Sequence, residues 1–235
     1  MKYIELDTYD KLSEVASELI SYEIKNNPSL VLGLATGSSP VGIYQNLIKK
    51  YKNGEISFKN IKTFNLDEYL GLDSDNNQSY RYFMQKNLFD QIDINSENIN
   101  FLNGVCIDAD EECSRYDKLI DNIGIDVQVL GIGINGHIAF NEPSDSFAKT
   151  THVVKLAEKT IQANSRFFNH ISEVPTKALT MGIKQIFKSK KIILVANGKN
   201  KKDAIEKMLK GEITPNMPAS ILQLHSDCTV IYSKE

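Results

Sequence analysis

His137 and Glu142 stand five residues apart in the run GIGINGHIAFNEP (131–143), the stretch of the chain densest in chemistry. An imidazole, with an ordinary pKa of about 6.5, can take and return a proton near neutral pH. A carboxylate on its other ring nitrogen would fix the tautomer and support the cationic form. Gly131, Gly133 and Gly136 let the backbone around this pair turn sharply or approach a ligand closely. A lone loop histidine is more often a surface or packed residue. Of the four histidines, however, only His137 lies in a glycine turn with an asparagine, Asn135, two residues before it and a carboxylate five after.

An element must deliver that turn, and residues 125–130 (IDVQVL) read as a buried parallel strand ending in it. His137 would then sit at a strand's carboxyl end, where open α/β sheets place ligands. A second strand over 30–35 (LVLGLA) runs into TGSSP. Pro40 suits the first turn of a helix over about 40–51, with Ser38 or Ser39 as its N-cap. Strand, small-residue loop and helix N-terminus in succession make an anion site, with Thr36, Gly37, Ser38 and Ser39 as its donors. The loop has neither the lysine of a Walker A sequence nor a dinucleotide fingerprint, so a monophosphate is expected rather than a nucleotide. The plain alternative is a βα turn capped by serine. A third strand, 61–66 (IKTFNL), ends at Asp67-Glu68-Tyr69. These carboxylates either cap a turn or put Asp67 on the same sheet edge as TGSS and His137.

The remaining elements follow from periodicity and punctuation. Helices are expected over 10–26, 77–89, 109–123 and 201–209, and short strands over 99–102, 191–196 and 228–232. Residues 151–156 read as a strand or an extended flap, and 178–187 (ALTMGIKQIF) fit strand and helix equally. Residues 163–170 (ANSRFFNH) bring Arg166 among polar and aromatic neighbours, while Lys201 opens a helix after a strand. Alternating strands and helices without a repeat or linker predict one doubly wound α/β domain over 1–235.

Composition narrows the partners. The 235 residues are 41% hydrophobic and 24% charged, which suits a globular protein. A net charge of −3 argues against a nucleic-acid footprint, which needs clustered cations. No apolar run approaches the roughly 20 residues of a membrane-spanning helix, and the amino terminus lacks a signal-peptide core. Cys106, Cys113 and Cys228 form no CxxC pair, so zinc ligation is not expected and a reduced, cytoplasmic compartment is. Neither a metal nor a cofactor is called for.

LATGSSP (34–40), FNLDEYLGL (64–72), NQSYRYFM (77–84), GIGINGHIAFNEP (131–143), ANSRFF (163–168) and PASILQLH (218–225) together resemble the glucosamine-6-phosphate deaminases, also called isomerases, along essentially the whole chain. The resemblance implies a Rossmann-like, mostly parallel sheet with helices on both faces. It implies conversion of glucosamine 6-phosphate and water into fructose 6-phosphate and ammonia, without a cofactor, in amino-sugar catabolism. Catalytic roles would fall to Asp67, Asn135, His137 and Glu142. Thr36 to Ser39, Arg166 and Lys201 would hold the phosphate. Two departures stand out. Many members have aspartate where this chain has Asn135, and an amide cannot share a proton at neutral pH. Larger members carry a basic effector cluster after the NEP segment, where this chain has Asp145, His152 and Val154; little activation by N-acetylglucosamine 6-phosphate is therefore expected. Two alternatives share the fold. One is a 6-phosphogluconolactonase, in which the residues after the histidine read differently and Glu142 has no purpose. The other is a sugar-phosphate-sensing domain, which would need a DNA-reading module. The sequence leaves the oligomeric state undetermined.

Overall fold

The computed structural model describes residues 1–156, 161, 170 and 173–235. In chain order its elements are β1 (Lys2–Leu6), α1 (Tyr9–Asn26), β2 (Val31–Leu34), α2 (Val41–Lys52), β3 (Lys62–Asn65), β4 (Asp67–Tyr69), α3 (Tyr80–Asn87), β5 (Ile99–Asn100), α4 (Ala109–Ile123), β6 (Val127–Leu130), β7 (His152–Lys155), β8 (Lys177–Thr180), α5 (Ile183–Phe187), β9 (Lys191–Asn197), α6 (Lys202–Lys210) and β10 (Cys228–Ser233).

Seven strands form one sheet in the order β1-β10-β9-β6-β2-β3-β5, with every pairing parallel. Its central strands are apolar on both faces, because helices cover both. Along β9, Ile193 and Val195 pack with Leu12, Ile20 and Ile43 of α1 and α2. The alternate residues Ile192, Leu194 and Ala196 pack with Tyr116 of α4 and Ile205 and Met208 of α6. This is the doubly wound sheet expected. After β2 the chain moves outward to β3, and after β6 it moves outward the other way to β9. The strand order therefore reverses between β2 and β6, and their carboxyl ends open the crevice in which such sheets bind ligands.

A second sheet, β4-β8-β7, is antiparallel and was not expected from the sequence. Asp67-Glu68-Tyr69 is a strand and not a turn, because one residue after β3 the chain leaves the large sheet to pair with Ala178–Thr180. The run 178–187 resolves into both alternatives, β8 and then α5, with Gly182 between them. A side chain at Gly182 would meet the carbonyls of Thr150 and Lys149 at 2.2 and 2.5 Å, so the break needs glycine. The 151–156 segment is strand β7. Helix α3 is shorter than the expected 77–89, because Ser79 caps it by accepting from the Tyr82 amide at 3.0 Å. β1 went unnoticed; it is a half-exposed edge strand that pairs in register with β10.

Among the described residues no helix is long and apolar enough to cross a membrane. Nor is there, among them, a cluster of three or more His, Cys, Asp or Glu placed to hold a metal.

Candidate active site

The turn after β6 is built around the ring of His137. A Cβ on Gly133 would lie 2.3 to 2.5 Å from that ring, so the imidazole rests on bare backbone. Gly136, at φ +84°, faces Met217, whose Sδ would lie 2.0 Å from an added Cβ. The turn is closed by the Gly133 amide donating to the His137 carbonyl at 2.8 Å and anchored by the Ala219 amide donating to the Gly136 carbonyl at 2.9 Å. Ala139 has φ +51°, a left-handed conformation costing an alanine about 1 kcal/mol. Its neighbours enforce it: the Phe140 amide donates to Thr180 Oγ1 at 3.1 Å, and Asn141 Nδ2 donates to the carbonyls of Ile138 and Met181 at 3.0 and 2.9 Å.

This curled backbone returns Glu142 to the histidine. Its Oε1 lies 3.0 Å from His137 Nδ1, a close contact in which the ring nitrogen is not aimed in line at the oxygen. Its Oε2 accepts from Asn135 Nδ2 at 2.6 Å, and Asn135 Oδ1 accepts from the His137 amide at 3.3 Å. Burial pushes the Glu142 carboxyl up, but His137 and the Asn135 amide more than offset this and hold it below the usual carboxylate range. The sequence-predicted trio Asn135, His137 and Glu142 is thus one connected group.

The TGSS loop after β2 is held from outside. The Tyr9 hydroxyl donates to the Ser38 and Ser39 carbonyls at 2.9 and 3.1 Å and accepts from the Gly42 amide at 2.8 Å. Neither serine caps α2. The cap position is Pro40, without a side-chain hydrogen bond. Gly37 takes φ +91°. Among the described residues the amides of Thr36, Gly37, Ser38 and Ser39 donate to no internal acceptor. The anion cradle is therefore the loop backbone more than the helix's first turn, with the α2 dipole behind it.

Asp67 stands on β4 at the same edge. It is 7% exposed, and among the described residues no hydrogen-bond donor reaches its carboxylate. Burial, and secondarily the neighbouring Glu68 charge, push its pKa up from 3.8 to about 8. Lys201 arrives from the turn after β9. Its Nζ donates to the Ile132 carbonyl at 2.8 Å, and burial lowers its pKa. One cavity of about 280 Å³ is lined by Thr36 to Ser39, Asp67, His137 and Lys201. Asn135 and Glu142 stand behind the histidine. Arg166 lies outside the described residues.

Sequence reading missed three further walls of the cavity, Tyr80, Ala139 and Phe140. The Tyr80 and Phe140 rings are stacked at 13° with centroids 6.1 Å apart, and the Tyr80 hydroxyl donates to that of Tyr69 at 3.2 Å. Tyr80 lies inside the helix expected over 77–89. Its signal lay in the register of α3, whose first residue faces Asp67.

A family profile described as glucosamine-6-phosphate isomerases/6-phosphogluconolactonase matches residues 6–231. The chain belongs to that family. A glucosamine-6-phosphate deaminase of Clostridium novyi (strain NT) is 56% identical over 236 residues, covering 100% of this chain and 98% of its own. One from Lachnoclostridium phytofermentans is also 56% identical, over 232 residues and 98% of each chain. The solved structure of a monomeric glucosamine-6-phosphate deaminase matches with a TM-score of 0.95 at 49% identity, over 100% of this chain and 98% of that one. The 6-phosphogluconolactonase of Thermotoga maritima, over 100% of both chains, reaches 0.76 at only 18% identity, a likeness of fold alone. Within this family the chain stands with the deaminases, and the lactonases are distant relatives.

Proposed function

We propose that the cavity converts glucosamine 6-phosphate and water into fructose 6-phosphate and ammonia. The observation that carries this reading is the pairing, in one cavity, of a desolvated carboxylate of raised pKa with an imidazole backed by a second carboxylate of lowered pKa. Two proton-transfer tasks need two such groups. The high identity to glucosamine-6-phosphate deaminases supports the same conclusion.

The chemistry follows from these placements. The phosphate binds the free amides of Thr36 to Ser39 and the hydroxyls of Thr36 and Ser38, with Lys201 as a point charge; the family resemblance, not a placement, adds Arg166 as a second cation. His137 takes the proton from the anomeric hydroxyl and delivers it to the ring oxygen, opening the pyranose. Glu142 stabilises the imidazolium between these steps, and Asn135 holds Glu142. In the open chain Asp67 removes the C2 proton, the C1 aldehyde oxygen accepting the electron pair to give an enolamine that keeps the nitrogen on C2. Asp67 then returns that proton to C1, leaving an imine at C2. Water adds to C2, and collapse of the carbinolamine expels ammonia. A carboxylate with pKa near 8 is basic enough to take a carbon-bound proton near neutral pH.

We read residues 1–235 as one domain, since the first and last strands pair along their length. Three free cysteines accord with a cytoplasmic setting. The test is a coupled assay on the purified protein. Stoichiometric fructose 6-phosphate and ammonia from glucosamine 6-phosphate are expected, with no hydrolysis of 6-phosphogluconolactone. Lactone hydrolysis without ammonia would overturn the reading.

A further inference from the structure

Glu68 is a carboxylate that the chemistry above does not use, yet it is among the most buried charged groups in the molecule, 2% exposed. It follows Asp67 on β4. Because strand side chains alternate, Glu68 points away from the cavity, toward the N-terminus of α3. There its Oε1 accepts from the Tyr69 and Tyr80 amides at 2.8 and 2.9 Å, and its Oε2 accepts from the Arg81 amide at 2.8 Å. Two of these amides belong to the first turn of α3, which has no intrahelical acceptor for them. Ser79 caps a third, that of Tyr82. The carboxylate therefore joins β4, which carries Asp67, to the helix whose first residue, Tyr80, lines the cavity beside Asp67.

We propose that Glu68 is a positioning residue for proton transfer at C2, pinning the first turn of α3 to β4 and so setting the place and the charge environment of Asp67 and Tyr80. This rests on the reading of Asp67 as the base. A neutral side-chain amide offers one acceptor oxygen, enough for the Tyr69 and Tyr80 amides but not for that of Arg81 as well, and a buried carboxylate is otherwise a costly way to cap a helix. What the charge adds lies on the Asp67 side: after burial, Glu68 is the cause that raises the proton affinity of Asp67. Glu68 is itself pushed up to about 7 by burial, against the pull of its three amides and of Arg81. The two carboxylates therefore titrate as a coupled pair. The groups facing this pair are Arg81 and Tyr80 of α3, Tyr116 of α4, Asp73 in the loop after β4, and His137 and Lys201 across the cavity. Lys177 at the end of β8 is exposed.

The test compares Glu68→Gln, Glu68→Asp and Asp67→Asn with the wild type, following kcat, KM and C2-proton exchange against pH. Glu68→Gln removes the charge and one acceptor. Its kcat is expected to fall about tenfold or more with little change in KM. Its acid limb should move down by about half a pH unit or more and become a single-proton step. Glu68→Asp keeps the charge on a shorter arm, so kcat should fall while the acid limb stays near that of the wild type. Should the Gln variant fail to fold, the Asp variant carries the test: wild-type kcat in it would overturn the positioning role. An unshifted acid limb or wild-type kcat in Glu68→Gln would overturn the proposal outright. Asp67→Asn separates the two levels: if it still exchanges the C2 proton, the base assignment itself has failed, whatever Glu68 does.

Discussion

Asp67 and Glu142 are two carboxylates at one site, and the protein treats them in opposite ways. Asp67 is sunk into the wall of the cavity, and among the described residues nothing donates to it. Glu142 has a half-exposed side chain, faces His137 at 3.0 Å and accepts from Asn135 at 2.6 Å. Burial raises the first to about 8, while the imidazole and the amide hold the second below its ordinary range. Both carry the same carboxylate group, so environment assigns the roles: a base hungry for a carbon-bound proton, and a fixed counter-charge that keeps its proton away. The supports differ as well. Glu142 returns to His137 on a curled loop at the edge of the large sheet, whereas Asp67 is held on a strand of the small one.

The largest effect should come from removing the desolvated member. Asp67→Asn is expected to lower kcat by about a thousandfold or more and to abolish exchange of the C2 proton, with KM changed little. It should also stabilise the fold. An aspartate in the unfolded chain ionises near 3.8, and Asp67 in the folded protein near 8. Between those values the folded state keeps a proton that the unfolded state has lost, so stability falls as pH rises through that window. Urea unfolding at pH 8 should show the variant more stable by about 1–3 kcal/mol, the gain fading toward pH 4. Equal stability at both pH values would mean that Asp67 is solvated, and the contrast with Glu142 would collapse.

A smaller loss is expected from Glu142→Gln, about a hundredfold in kcat. The imidazolium would lose its counter-charge, which slows ring opening and leaves the C2 step untouched. Substrate supplied in open-chain form should therefore recover part of the rate for Glu142→Gln and none for Asp67→Asn. Equal recovery in both, or in neither, would show that the two carboxylates serve a single step.

Much of this contrast was legible in the residues. The large sheet was, apart from its edge strand β1, because β-branched runs such as KIILVA are buried on both faces and end in glycine or small polar residues. The trio Asn135, His137 and Glu142 was, because glycine, imidazole and carboxylate crowd into thirteen residues, 131–143. The small sheet was not. Three residues, Asp67 to Tyr69, are too few for alternation to register, and their partner, β8, lies more than a hundred residues away in a run that fits helix equally. The N-cap of α2 was misread for a related reason: the Gly42 amide is satisfied by Tyr9, from a helix whose packing the local sequence does not encode. Glu68 looked like a turn cap; it does cap, but the helix twelve residues on, and only tertiary structure connects them.

The finest discrimination concerns Asn135, whose amide donates to Glu142 at 2.6 Å. Asn135→Asp replaces that donor with a second carboxylate, and two ionised carboxylates cannot share so short a contact. One of the pair must hold a proton to keep the bond, so the pair would titrate with one raised value. Because Asn135 is exposed, water screens part of this repulsion and the shift stays modest. Turnover of Asn135→Asp at neutral pH is expected to remain within about tenfold of the wild type. Its acid limb should gain an ionisation between about pH 5 and 7 that the wild type lacks. Above that step His137 would face a doubly charged relay, and below it a neutral acid bridging to Glu142. If the two pH profiles superimpose, the amide does not hold Glu142 in its charged, oriented form, and the low pKa of that carboxylate rests on His137 alone.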